Sequence, residues 1–157
     1  MQLTSSDIQA DQTIAAKYVY AQCGGQNASP ALAWIGAPAG TQSLALTVFD
    51  PDAPGKGWWH WVLFNLPSGT HHLATGASTT RGGLPAGSVQ GKNDYGSPGY
   101  GGPCPPVGDQ PHRYVFTIHA LKVASLPFDA SSSGWQIGPA IDDNTLAKAS
   151  FAAFYGR

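Results

Sequence analysis

The sequence predicts a mainly β fold, an antiparallel β-sandwich with a short C-terminal helix. Residues 43–49, 58–66 and 113–121 are apolar runs of strand length, rich in β-branched and aromatic side chains. Turn residues separate these runs, because 20 glycines and 13 prolines are spread along the 157 residues. Strands and helices do not alternate regularly, which argues against a parallel βαβ fold.

The three runs differ in how their apolar positions are spaced. Residues 43–49 and 113–121 are apolar at every second position, which places those side chains on one face of each strand. These alternating side chains are Leu44, Leu46, Val48, Tyr114, Phe116 and Ile118. Residues 58–66 are apolar on both faces, so we expect this strand to be covered on both sides. Three shorter runs are weaker strand candidates: residues 17–20, 32–35 and 89–90.

One helix is predicted, over residues 142–154. Its apolar side chains recur at helical spacing and are Leu146, Ala149, Ala153 and Phe154. Asp142 and Asp143 would favour its N-terminus through capping and the helix dipole.

Length and charge restrict the classes of protein. The length fits one domain, residues 1–157. The net charge is −1 and no lysine or arginine run is present, so nucleic acid is not an expected partner. No stretch reaches the roughly 18 apolar residues that span a bilayer. The N-terminus lacks a signal pattern, so the chain as written is expected in the cytoplasm; it would be periplasmic or secreted if Met1 replaces a removed signal.

Residues 91–111 form a Gly- and Pro-rich segment with no strand or helix pattern. A stretch of that length inside a domain is usually functional or disordered. Its prolines and its two tyrosines favour an ordered functional loop. Cys104 lies in this loop and Cys23 in an earlier one. By themselves the two cysteines are consistent with one disulfide or with two buried thiols.

Polar side chains lie where the three strong strands begin or end. Asp50 and Asp52 follow the first strand in a turn stiffened by prolines, and His60 lies in the second among tryptophans. His112 and Tyr114 are two positions apart in one strand, so both side chains should point to the same face. Each residue alone has a structural explanation, such as an Asx turn or a hydrogen-bonded core position. Their joint occurrence beside stiff loops predicts one pocket.

Alternation also assigns structural positions. His60 should share a face with Trp58, Val62 and Phe64. Arg113 is expected to form a structural ion pair with Asp52. The other histidines, two interpreted as surface residues and one as a core residue, are His71, His72 and His119.

Catalytic and cofactor motifs are absent. The chain contains no Gly-x-Ser-x-Gly, no P-loop and no His-Glu-x-x-His. Two histidines and a carboxylate are ligands that suit iron, but the prolines and aromatic residues favour a tight anion pocket, so neither a metal nor a cofactor is predicted. A binding protein is therefore favoured over an enzyme. Acid–base chemistry by a histidine and an aspartate is the alternative.

Two motifs carry a family resemblance. The first is Asp-Pro-Asp-Ala-Pro at 50–54, followed by Trp-Trp-His-Trp-Val at 58–62. The second is Tyr-Gly-Gly-Pro-Cys-Pro-Pro at 100–106, followed by His-Arg-Tyr at 112–114. A third block is Asn-Ala-Ser-Pro at 27–30, and the resemblance runs from about Thr4 to the C-terminal helix, which is nearly the whole chain. The sequence resembles the bacterial and archaeal branch of the phosphatidylethanolamine-binding protein family (Raf kinase inhibitor protein-like).

The resemblance implies a Greek-key antiparallel β-sandwich with a pocket for phosphate, phosphoethanolamine or a similar small anion. The pocket lining that it implies is Asp50, Trp58, His60, Gly102, Pro105, Pro106, His112 and Tyr114. It favours a disulfide between Cys23 and Cys104, and it implies a kinase or a protease as a protein partner. The stretch between Pro54 and Trp58 is shorter than in animal members, so a pocket tyrosine supplied there has no match.

The same residues suggest how an anion would be held. We expect His60, His112, Tyr114 and amides of the Gly102 loop to donate hydrogen bonds to phosphoryl oxygens. Asp50 would orient one imidazole through its ring N–H. At least one histidine must be protonated, so binding should weaken as the pH rises through the histidine range.

Overall fold

The structure of the protein, a computed structural model, describes residues 1–157 as eight strands, one α-helix and two 3-10 turns. The strands are β1 Gln2–Thr4, β2 Leu32–Ile35, β3 Ser43–Asp50, β4 Trp58–Pro67, β5 His72–Leu73, β6 Val89–Gln90, β7 His112–Leu121 and β8 Thr145–Tyr155. Helix α1 spans Gly134–Asn144, and the 3-10 turns span Ala16–Tyr18 and Ala21–Cys23. No helix combines the length and the apolar character that crossing a membrane requires.

The strands form two antiparallel sheets, which confirms the predicted fold class. The small sheet has the order β1-β2-β5, and the large sheet has the order β6-β4-β3-β7-β8. Strand β7 returns to pair with β3 on the side away from β4, so β7, β3, β4 and β6 have the spatial order of a Greek key. The chain at Thr13 bridges Phe154 of β8, which covers that edge of the sheet.

Apolar side chains fill a space on each face of the large sheet. Between the two sheets, Leu46, Trp61 and Phe116 belong to one buried cluster. On the other face, Val62 of β4 and Ile137 of α1 belong to a second cluster. Strand β4 is therefore buried on both sides, as its sequence predicted.

The predicted helix over residues 142–154 is wrong. Helix α1 ends at Asn144, and the chain continues directly as β8. Strand β8 pairs with β7 along almost its whole length, and Phe151 stacks on Phe116 with 5.0 Å between ring centroids. This pairing outweighs the helix propensity of the alanines in β8.

Helix α1 forms in a segment that contains two glycines and a proline, which are unfavourable in helices, so the sequence pattern did not indicate it. Ser133 and Gln136 form a capping box at its N-terminus. Gly134 and Gly138 lie one turn apart against the indole of Trp59, where an added Cβ would come within 2.3 and 2.8 Å of ring atoms. The glycines therefore allow the helix to approach the sheet closely.

The weaker strand candidates had mixed outcomes. Residues 32–35 and 89–90 form β2 and β6, which confirms both. Residues 17–20 do not form a strand, because a 3-10 turn covers Ala16–Tyr18 and the amide of Val19 donates back to the carbonyl of Ala16. Residues 17–20 therefore connect the two 3-10 turns instead of pairing with a sheet.

Candidate functional site

Three neighbouring strands of the large sheet begin or end at one place. Asp50 is the last residue of β3, His112 is the first of β7, and His60 is near the start of β4. Because β3 is antiparallel to both neighbours, its end meets the starts of β4 and β7. Tyr114 follows His112 by two residues and faces the same side. The topology thus brings together the four polar side chains that the sequence singled out.

The four side chains line one pocket of about 200 Å³. The complete lining is Asp50, Ala53, Pro54, Trp58, His60, Tyr95, Cys104, Pro105, Pro106, His112 and Tyr114. Seven of the eight residues predicted to line the pocket are in this set, and Gly102 is outside it. The volume is below the roughly 300–1,000 Å³ of drug-sized sites, so the pocket fits a small ligand.

His112 lies between two carboxylates. Its Nδ1 is 2.7 Å from Oδ2 of Asp50, and its Nε2 is 3.0 Å from Oδ2 of Asp109. Carboxylates only accept, so both ring nitrogens donate, and both carry a proton only in the charged imidazolium. Desolvation lowers the pKa of His112, but the hydrogen bonds and charges of Asp50 and Asp109 outweigh it and raise the pKa above 6.5.

Asp50 is a fully bonded carboxylate behind that ring. Its Oδ1 accepts from the backbone amides of Asp52 at 2.8 Å and Ala53 at 3.1 Å, while Oδ2 accepts from His112. Its side chain is only 4% exposed. Asp50 therefore fixes both the proline-rich turn and the orientation of the imidazole.

Asp109 holds the other ring nitrogen from outside. Its side chain is 45% exposed, and it lies in the turn before β7 rather than in a strand. Its amide donates to the carbonyl of Pro106 at 3.3 Å. A ligand that reaches Nε2 of His112 must therefore replace this carboxylate.

The His60 ring lies on a different face of β4 from Val62, contrary to the prediction. A bulge between the pairs Val48–Trp61 and Phe49–Trp59 shifts the register of β4 at His60. The prediction that His60 shares a face with Val62 is therefore wrong. The ring instead lies beside Tyr114, with 5.1 Å between ring centroids.

The protonation of His60 follows from its partner. Its Nδ1 is 2.7 Å from the carbonyl oxygen of Gly101, which can only accept, so Nδ1 carries the proton. Burial lowers the pKa of His60 to about 4, although the carbonyls of Gly101 and Gly102 and the charge of Asp50 oppose this shift. The ring is thus neutral at ordinary pH, and Nε2 has a lone pair where the sequence predicted a donor.

Two phenols complete the polar lining. The hydroxyl of Tyr114 makes no hydrogen bond within the protein, whereas that of Tyr95 donates to the carbonyl of Gly102 at 2.8 Å. Burial, followed by the charge of Asp50, raises the pKa of Tyr114, so this phenol stays protonated. Tyr95 comes from the Gly- and Pro-rich loop and stacks on Tyr20 with 3.8 Å between ring centroids.

The Gly102 loop forms the wall behind the pocket. The amide of Gly102 donates to Oδ1 of Asn27 at 2.7 Å, so it is not free for an anion. A Cβ on Gly102 would lie 2.1 Å from the carbonyl oxygen of Tyr18, which requires glycine there. Cys104, two residues later, forms a disulfide with Cys23, with Cα atoms 5.7 Å apart.

The remaining predicted polar residues lie outside the pocket. Oδ2 of Asp52 accepts from the amide of Arg113 at 2.8 Å, and their side chains form a largely exposed pair at 3.9 Å. His119 is buried on the α1 face, with Nε2 3.2 Å from Oγ1 of Thr47. His71 and His72 are exposed. No group of three or more histidine, cysteine or acidic side chains is arranged to hold a metal ion.

Sequence reasoning missed Asp109 and Tyr95 as residues of the site. Asp109 had a detectable signal, because an acidic residue three positions before His112 is within reach of its ring. Tyr95 had only its position in the long loop as a signal. Its phenol lies in the pocket even though the turn between Pro54 and Trp58 supplies none.

Comparisons with known proteins show similarity over almost the whole chain. A family model described as phosphatidylethanolamine-binding protein matches residues 4–156. The UPF0098 protein YbcL of Escherichia coli K12 is 44% identical over 98% of this chain and 86% of its own length. The UPF0098 protein YbhB of the same bacterium is 41% identical over 99% of both chains.

Two solved structures share the fold. The crystal structure of E. coli YbcL, a new member of the mammalian PEBP family, matches with a TM-score of 0.96 and 43% identity over 99% of this chain and 98% of that chain. A PEBP homologue from Chlamydia trachomatis matches with a TM-score of 0.81 and 34% identity, over 99% and 97%.

Proposed function

Because the chain belongs to the phosphatidylethanolamine-binding protein family, we propose that its pocket binds a small phosphate-type anion, either free or as the head group of a lipid. The protein would act through binding, with no turnover. The phosphoryl group would lie between His112, Tyr114 and His60. Its substituent would extend along the apolar wall of Trp58, Pro105 and Pro106.

The state of His112 carries this proposal. A charged imidazolium held from behind by Asp50 presents an Nε2–H donor at the pocket. In the free protein this donor binds Asp109, which is half exposed and is itself an anionic oxygen ligand. A phosphate oxygen would take the place of the Asp109 carboxylate and form a charge-assisted hydrogen bond.

The surroundings support a small anion over a larger or cationic ligand. The Tyr114 hydroxyl is a second donor with no partner in the protein. Proline and tryptophan side chains form much of the lining, and hydrogen bonds are stronger in such apolar surroundings than in water. The charge of Asp50 is partly compensated, because two backbone amides and the His112 ring donate to its carboxylate.

Calorimetry with inorganic phosphate and with O-phosphoethanolamine tests the proposal. We expect both to bind, and we expect affinity to fall as the pH rises, because the charge on His112 is lost above its raised pKa. Replacing His112→Asn removes a charge-assisted bond and should weaken binding by about 10- to 100-fold. His72→Asn, a change at an exposed histidine, is the matched control and should bind as the wild type does.

Two results would overturn the proposal. One is the absence of binding by either anion at millimolar concentration. The other is equal affinity in wild type and in His112→Asn. Vesicles containing phosphatidylethanolamine, compared with vesicles lacking it, distinguish a lipid head group from a free phosphate as the ligand.

The family resemblance extends this proposal to regulation. A protein of this kind could inhibit a kinase or a protease, with the bound anion standing in for a phosphorylated or acidic group of the partner. The direct test is whether a partner captured on the wild type is released by millimolar phosphate. A partner that binds His112→Asn equally well, and is not displaced, would exclude the pocket as its binding site.

One observation favours an enzyme as the second candidate. The environments of the two histidines move their pKa values in opposite directions, which is the arrangement of an acid–base pair. Screening esters and phosphoesters against wild type and His112→Asn tests this reading. Turnover by the wild type that disappears in the variant would support it, and turnover in neither would exclude it.

A further inference from the structure

His60 offers the pocket an acceptor. Its Nδ1–H is committed to the carbonyl of Gly101, and the amide of Gly101 in turn donates to the carbonyl of His60 at 2.8 Å. This pair of bonds fixes the ring and its tautomer from one side. The exposed fraction of His60 is 3%, and turning the ring over would break the Nδ1–H bond to Gly101. Nε2 is therefore the nitrogen that faces the ligand.

No donor of the protein reaches that nitrogen. Nε2 makes no hydrogen bond, and it is not one of the fully enclosed polar atoms, so it opens onto the pocket. The titratable groups around His60 are Asp50, His112, Tyr95 and Tyr114. The N–H groups of His112 are directed to Asp50 and Asp109, and the hydroxyl of Tyr95 is directed to Gly102.

An acceptor that opens onto a small pocket and has no donor from the protein favours a ligand that supplies a donor. Inside one small pocket, His112 and Tyr114 offer hydrogens while His60 offers a lone pair. A fully deprotonated oxyanion has only lone pairs and would meet the lone pair of Nε2 with repulsion. An oxyanion that keeps one proton can donate to His60 and accept from His112 and Tyr114.

We propose that His60 makes the pocket selective for oxyanions that carry a proton, such as a phosphate monoester monoanion, over oxyanions that carry none, such as a sulfate ester. The P–OH group donates to Nε2 of His60, while the charged oxygens accept from Nε2–H of His112 and the hydroxyl of Tyr114. His60 is thus a specificity-determining residue. This inference rests on the proposed function, because it concerns the ligand of the same pocket.

Methyl phosphate and methyl sulfate form a matched pair of probes. A phosphate ester has a second pKa of about 6, so near pH 5 both probes carry a single negative charge on almost the same shape. They differ mainly in the proton that only methyl phosphate keeps. By calorimetry at that pH we expect methyl phosphate to bind wild type about 10- to 100-fold more tightly than methyl sulfate.

Two substitutions test whether His60 is responsible. In His60→Asn, the amide can still donate to Gly101 but no atom remains at the position of Nε2, so the ratio of the two affinities should fall to near one. In His60→Gln, the longer amide can turn its NH₂ into the pocket, so methyl sulfate should gain relative to methyl phosphate. His72→Asn should keep the wild-type ratio, since that residue is exposed and distant.

The outcomes separate this inference from the proposed function. Equal binding of both esters to wild type would overturn the selectivity and leave anion binding intact. A wild-type ratio that persists in His60→Asn would assign the selectivity to another group and overturn the role of His60. Binding of neither ester would overturn the proposed function and this inference with it.

One measurement needs no variant, in case the substitutions impair folding. Long-range proton–nitrogen correlation spectra of the wild type report which ring nitrogen of His60 is protonated. We expect Nδ1 to be protonated and Nε2 bare, with the Nε2 resonance moving towards the hydrogen-bonded value when methyl phosphate is added. A protonated Nε2 in the free protein would overturn the inference.

Discussion

The large sheet buries histidines on both faces, and their neighbours give them opposite properties. His112, at the pocket end, lies between the carboxylates of Asp50 and Asp109, and its pKa is raised. His119, on the face covered by α1, has the hydroxyls of Thr47 and Thr145 as its hydrogen-bond partners, and burial followed by the charge of Lys148 lowers its pKa to about 4.

The comparison indicates that partners decide the charge of a buried histidine on this sheet. Hydroxyls can satisfy ring nitrogens without compensating a charge, so His119 is neutral and structural. Carboxylates compensate the charge, so the charged form of His112 is favoured at the pocket. His60 combines the two cases, because it shares the pocket of His112 but has a carbonyl as its partner.

The largest expected effect comes from removing the carboxylate of Asp50, which should abolish the difference in pKa between His112 and His119. Asp50→Ala removes a buried ion pair with His112 and two hydrogen bonds from backbone amides in the turn. We expect it to lower the free energy of unfolding by about 3–5 kcal/mol. It should also bring the pKa of His112 down towards that of His119. Urea denaturation and an NMR titration of His112 measure both effects.

Asp52→Asn is the matched control for that change, because its ion pair with Arg113 is largely exposed. We expect it to cost less than about 1 kcal/mol. If the two substitutions lower the free energy of unfolding equally, the Asp50–His112 pair does not stabilise the fold as predicted.

The pH dependence of stability separates the two kinds of histidine. His60 and His119 titrate at about 4 in the folded protein and near 6.5 when unfolded, so the unfolded state binds more protons between these values. The free energy of unfolding should therefore fall as the pH drops from 6.5 to 4, by roughly 3 kcal/mol for each histidine. His112 has the opposite sign: its contribution is complete below pH 6.5 and is lost as the pH rises through its raised pKa.

His119→Gln tests that assignment on the α1 face. The amide can keep a hydrogen bond to Thr47, and the acid-induced loss of stability should shrink by about half. Urea denaturation over a pH series measures the change, and phosphate affinity should stay within about twofold of wild type. An unchanged slope below pH 6.5 would refute the neutral state of His119.

Packing under α1 should affect stability and leave the pocket unchanged. In Gly138→Ala, the new Cβ would lie 2.8 Å from a ring atom of Trp59. Overpacking of this kind should cost about 1–3 kcal/mol, less the roughly 1 kcal/mol that alanine gains over glycine in a helix. Thermal unfolding measures the loss. A large accompanying loss of phosphate affinity would show that the two faces are coupled.

The smallest expected effect is a gain of binding at the pocket. Asp109→Asn keeps a polar side chain beside His112 but removes the negative charge that a phosphate must displace. Phosphate affinity should rise by about three- to tenfold near pH 6, because the competing charged hydrogen bond is weaker. Weaker binding in this variant would mean that Asp109 helps to hold the ligand instead.

Much of the fold was accessible from the sequence where local pattern and tertiary structure agree. Alternation identified β3 and β7, and a run apolar on both faces correctly predicted that β4 is covered on both sides. Parity correctly placed His112 and Tyr114 on one face. These features follow from the two-residue period of a strand, which the sequence displays directly.

The errors occur where tertiary contacts override local pattern. The alanines of β8 favour a helix until β7 offers a full-length partner. Glycines that usually break a helix are required in α1 by the indole of Trp59. The bulge at His60 reverses the parity of the strand before it. Pairing partners, close approaches and bulges depend on distant residues, so a single sequence does not contain a local signal for them.

The most direct test of the account is an NMR pH titration of His112 and His119 in phosphate and in chloride. We predict that His112 titrates above pH 6.5 and that phosphate raises its pKa further, because the anion binds the charged ring more tightly than the neutral one. His119 should remain near 4 in both salts and serve as the internal reference. A pKa of His112 that phosphate does not move, or that lies below 6.5, would contradict the account.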